Sequence, residues 1–87
     1  MALARQVRYR PGMSFGRNPH VVRASLAEQK AADAGDLRAR VSAYRDAARL
    51  WERAAEREKA GKARDEYEAK AALNRASADA AESDAAG

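Results

Sequence analysis

Arginine is the residue type with the most chemistry to offer in this chain. Arg5, Arg8, Arg10, Arg17 and Arg23 fall within the first 27 residues, and no acid stands among them. A guanidinium presents a planar fork of N–H donors to phosphate oxygens, so an extended segment can lay several of them along a nucleic-acid backbone. Tyr9 and Phe15 are interspersed with these arginines, where their rings could stack on exposed bases. Arg5, Arg8, Tyr9, Arg10, Phe15, Arg17 and Arg23 are therefore the candidate residues for binding DNA or RNA. The competing reading is a solvated tail, or one that docks on acidic patches of its own helices or of a partner.

A second set of arginines follows at helical spacing. Arg45, Arg49, Arg53 and Arg57 recur every four residues, with Asp46, Glu52 and Glu56 interleaved at three- and four-residue offsets. On a helix these offsets are neighbours, so the acids are expected to neutralise most of the ladder and leave a solvated face. Asp36 with Arg40, Glu58 with Lys62 and Glu66 with Lys70 repeat the acid-before-base pattern of a solvent-facing helix surface.

Other chemistries lack their residues. There is no cysteine, and His20 is the sole histidine, whereas a zinc site draws on three or four such ligands. Ser14, Ser25, Ser42, Ser77 and Ser83 have only His20 as a candidate base. A nucleophile needs its base within hydrogen-bond reach and an acid to orient that base. The helical carboxylates each have an arginine or lysine within a turn, which favours ion pairing over general acid–base work. Gly12 and Gly16 are not followed by the Lys-Ser or Lys-Thr of a phosphate-cradling loop. The expectation is a protein with no catalytic residues, no metal, no cofactor and no small-molecule substrate.

The elements that must position these residues are helices. Ala, Glu, Lys, Leu and Arg make up 53 of 87 residues, isoleucine and threonine are absent, and only Val7, Val21, Val22 and Val41 are β-branched. That composition favours helix and starves strands, so the fold class is all-α. Pro11, Gly12 and Gly16 lie in residues 1–18, which read as a basic, extended arm. The formal charge of +4 is an arm-side excess on a body of 12 bases and 13 acids beyond residue 27. A helical domain is expected over 19–82 and a frayed tail over 83–87.

Two helix starts compete: Asn18-Pro19, an N-cap followed by proline, and Ser25-Leu26-Ala27-Glu28, a capping box. Gly35 suits a left-handed C-cap and Asp36 the next N-cap. Leu37, Val41, Tyr44, Ala48, Trp51 and Ala55 then recur at intervals of four, three, four, three and four, an unbroken apolar stripe on one helix face. With Tyr67 these residues are the candidate core or protein interface, and Trp51 and Tyr44 would anchor it. The stripe breaks at Glu58, Gly61 and Lys62, and a weaker series, Ala60, Ala63, Tyr67, Ala71, Leu73 and Ala78, follows. The break predicts a turn at Gly61 and an antiparallel helical hairpin; the alternative is one long helix from about 37 to 80. Tyr44, Ala48, Leu50 and Ala55 echo as Tyr67, Ala71, Leu73 and Ala78 at an offset of 23.

A core this small is marginal alone, so a protein partner, a coiled coil or a homo-oligomer is expected. No apolar run approaches the about 20 residues of a membrane span, and no secretory signal is visible, which makes a cytoplasmic location the default. Arginine outnumbering lysine 13 to 4, with alanine so frequent, is what a GC-rich bacterial or phage genome produces. Taken together these features predict a small helical interaction protein, regulatory or structural, that binds a protein partner or itself through an apolar helix face. The alternative is a nucleic-acid-binding accessory protein that uses the arginine-rich arm.

Overall fold

Pro19 has no backbone N–H to lose in a first helical turn, and its fixed φ already suits a helix. The first helix, α1, accordingly spans Pro19–Asp33. The computed structural model describes residues 18–86, which form three α-helices with no strand among the described residues. The arm residues 1–17 lie outside the described residues.

Of the two competing starts, the proline start is used, and Ser25 stands exposed inside α1. Asn18 occupies the N-cap position without capping; its side chain is directed elsewhere. At the far end Gly35 does not form the left-handed cap expected from its type. Ala34 leaves the helix in an extended conformation, with its N–H on Ala31 O at 3.3 Å. That bond satisfies an end carbonyl, and Arg40 Nη2 covers Ala34 O at 3.3 Å, so the end is closed without a left-handed residue.

Asp36 caps the second helix as its type predicts: Oδ1 accepts from Ala39 N at 2.8 Å, and α2 runs Leu37–Glu56. Gly61 has φ +154°, a conformation that residues bearing a Cβ rarely adopt, and it separates α2 from α3, which spans Lys62–Ala86. The hairpin is therefore formed and the single long helix is not. The third helix continues past residue 82, through the stretch expected to fray, because alanine recurs at 80, 81, 85 and 86 and no breaker intervenes before Gly87.

α1 and α3 both pack against α2. Ala24 of α1, Ala47, Trp51 and Ala54 of α2, and Ala71 of α3 form one buried cluster, with Val21, Ala27, Leu50 and Tyr67 packed against it. A core built from alanine lets backbones approach closely, toward the short end of the 8–10 Å interaxial range. In such a core one large side chain must fill what the alanines leave, and Trp51 is that residue.

Candidate interaction surfaces

Trp51 is 3% exposed, so the strongest anchor of the apolar stripe is consumed by the fold itself. Its ring stands 5.5 Å from that of Tyr67 at an interplanar angle of 31°, and Lys70 Nζ lies 5.3 Å from its centroid. Tilted ring pairs and a cation over the indole both add to area burial. Ala48 and Ala55 are buried with it, while Leu37, Val41, Tyr44 and Tyr67 are half-buried. The α2 part of the stripe thus lies along the inner side of that helix, covered from Ala48 to Ala55 and less so toward Leu37, with Tyr67 meeting it from α3.

A polar node closes the Trp51 pocket. Trp51 Nε1 donates to Glu28 Oε2 at 2.8 Å, and Asn74 Nδ2 donates to the same oxygen at 2.7 Å and to Lys70 O at 2.8 Å. One carboxylate oxygen therefore joins all three helices. Buried indole and amide N–H groups need such acceptors, and hydrogen bonds to a charged oxygen are the stronger kind. From sequence Glu28 reads as a capping-box acid and Asn74 has no role, although a signal for a buried role is present. Glu28 follows Ala24 and precedes Ala31 at intervals of four and three, and Asn74 stands three after Ala71 and four before Ala78, so each is a polar residue on a buried stripe.

A second node ties α1 to the end of α2. Asn18, 2% exposed, donates through Nδ2 to Ala54 O at 3.0 Å and to Glu58 Oε2 at 2.9 Å. This is why its side chain does not cap α1. Asn18 Oδ1 and His20 Nδ1 are buried with no partner among the described residues.

The buried face of α3 is Tyr67, Ala71, Asn74, Ala78 and Ala81, at intervals of four, three, four and three. Leu73, placed in the apolar series from sequence, falls off this face, and so do the exposed Ala60 and Ala63. Leu73 is 66% exposed. Around it Ala69, Ala72, Ala76 and Ala80 are exposed as well, so the outer side of α3 carries its own apolar stripe with no helix of the described residues against it. On α1, Val22 and Leu26 form a smaller exposed pair one turn apart.

The solvent side of α2 carries a row of arginines with acids beside it. Arg38, Ser42, Arg45, Arg49 and Arg53 are all exposed. Arg49 pairs with Asp46, as the spacing predicts, but Glu52 turns to Arg75 of α3 and Arg45 turns to Glu82 and Asp79 of α3. Arg38, Val41, Ser42, Arg45, Glu82 and Ala85 help line an open cleft of about 530 Å³ at the N-terminal half of α2.

Of the candidate nucleic-acid residues, Arg23 is exposed on α1, and Arg5, Arg8, Tyr9, Arg10, Phe15 and Arg17 lie outside the described residues. No group of three or more histidine, cysteine or carboxylate side chains able to hold a metal occurs among the described residues. No described helix is long and apolar enough to cross a membrane. Comparison with protein-family models, with curated proteins and with solved structures gives no match for this chain.

Proposed function

We propose that the chain is a small non-enzymatic interaction protein, regulatory or structural, that docks a helix of a protein partner or of a second copy on the outer face of α3. The observation that carries this reading is Leu73, 66% exposed at the centre of the Ala69, Ala72, Ala76 and Ala80 stripe. A large apolar side chain ringed by small ones is a knob beside shallow holes, the surface that helix-on-helix packing uses. The internal echo adds to it. Leu50, the counterpart of Leu73 on α2, is half-buried against the core, whereas Leu73 has no helix beyond it among the described residues. The inner stripe is an intramolecular core by comparison, since Trp51 is already covered.

Size-exclusion chromatography with light scattering over an about hundredfold concentration range tests self-association through its mass-action dependence. Substituting Leu73→Glu should abolish it and Leu26→Glu should not. A photo-crosslinking residue at position 73 should capture a second copy or a partner, and one at position 26 should capture neither. Equal behaviour of the two positions refutes the assignment of the α3 face.

A further inference from the structure

We propose that the solvent face of α2 is a phosphate-binding surface for nucleic acid, separate from the α3 face and independent of it. Arg38, Ser42, Arg45, Arg49 and Arg53 follow one another at intervals of four, three, four and four, which keeps them on one side of the helix, opposite Trp51. At 1.5 Å per residue this row is about 22 Å long. From sequence spacing alone its charge would be cancelled by Asp46, Glu52 and Glu56. The tertiary structure redistributes these acids: Glu52 turns to Arg75, Glu82 and Asp79 of α3 meet Arg45, Asp46 keeps Arg49, and Glu56 stays exposed three residues after Arg53. Arg38 and Arg53, at the two ends of the row, have no ion pair among the described residues.

The pairs that remain on the row are solvent-exposed, Arg49 with Asp46 and Arg45 with Glu82 and Asp79. Exposed pairs of this kind hold a guanidinium only weakly. A polyanion competes with them easily, since each phosphate neutralised releases condensed counterions. Such a row can follow one phosphate backbone, with Ser42 and the cleft residue Arg38 at the end away from Arg53. Contacts of this type position a strand without reading its sequence.

The test is fluorescence anisotropy of a labelled duplex DNA and a labelled single-stranded RNA titrated with the full-length protein at about 50 and 200 mM salt. Three proteins are compared: the wild type, R38Q/R53Q, and the arm variant R5Q/R8Q/R10Q/R17Q, each with its helix content checked by circular dichroism. If the face binds phosphate, R38Q/R53Q weakens binding and makes the log–log salt slope on duplex shallower by about 1.8, near 0.9 for each arginine lost. Between about 50 and 200 mM salt the wild type then loses roughly twelvefold more affinity than that variant. Wild-type affinity and slope in R38Q/R53Q, with binding lost only in the arm variant, would overturn the proposal and leave the arm acting alone. Absence of binding to either nucleic acid at tens of micromolar protein and low salt would overturn it too, as would binding to phosphatidylserine vesicles in place of both nucleic acids. Adding Leu73→Glu to each protein should leave these values unchanged, which separates failure here from failure of the α3 reading.

Discussion

Removing the Glu28 carboxylate should unfasten all three helices at once. In Glu28→Ala the indole N–H of Trp51, in a residue 3% exposed, loses its acceptor at 2.8 Å, and one N–H of Asn74 loses its acceptor at 2.7 Å. Each hydrogen bond to a charged group is worth about 1.5–3 kcal/mol, and stranding a buried donor costs about 1–3 kcal/mol. Asn74 keeps its bond to Lys70 O, and the half-buried Glu28 regains hydration in the unfolded chain, so the sum is discounted. The expected loss is about 2–4 kcal/mol, a large part of the total of about 4–13 kcal/mol that a domain this size has. Urea unfolding followed by circular dichroism and by fluorescence of Trp51, the single tryptophan, measures it as a fall in midpoint at unchanged slope. Glu28→Gln keeps an acceptor oxygen and should lose only about 1 kcal/mol. In a double-mutant cycle with Trp51→Phe, the coupling should be about 1–2 kcal/mol. A Glu28→Ala protein within about 0.5 kcal/mol of wild type would refute the claim that this oxygen is the tie among the helices.

Gly61→Ala forces a Cβ into a positive-φ position and should cost about 1–3 kcal/mol, read as a lower melting temperature by roughly 4–8 °C per kcal/mol. Asp36→Ala should cost about 1 kcal/mol through loss of the cap to Ala39 N, whereas Asp36→Asn should be nearly neutral in the same melt. Asn18→Asp replaces a donor with a carboxylate facing Ala54 O and Glu58, and should destabilise more than Asn18→Ala in urea titrations at neutral pH. Leu73→Lys should leave the stability of the monomer within about 0.5 kcal/mol, because the side chain it replaces is already exposed.

Much of the helical framework was readable locally, because helix starts and stops are made by near neighbours. Asp36 caps the residue three ahead of it, Pro19 begins α1, and Gly61 turns the chain between α2 and α3. Each depends on backbone chemistry that the residue type carries with it. The stripe from Leu37 to Ala55 was legible for the same reason, since a period of 3.6 residues is a property of the helix and not of its neighbours. Gly35 shows the limit of such reasoning. Its type permits a left-handed cap, but extended Ala34 and the Arg40 guanidinium close the helix end without one.

Composition and periodicity by themselves determined that this chain is helical and which side of α2 faces inward, and they marked Gly61 as the place where a hairpin would turn, with one long helix as the alternative that the structure removes. Only the tertiary structure decided which polar residues are internal and which apolar ones are left outside. Glu28 and Asn74 lie 46 positions apart, and no local pattern links them; they meet because Trp51 leaves one buried N–H that needs an acceptor. Leu73 looks like a core residue by its type, yet the face of α3 that packs on α2 is set by Tyr67, Ala71 and Ala78, and Leu73 is rotated off it. The charge of the α2 arginine row was decided in the same way, because Glu52 and Arg45 find partners on α3 and not on their own helix. Long side chains at a helix–helix seam choose between neighbours along the helix and neighbours across it, and the packing of the two helices makes that choice.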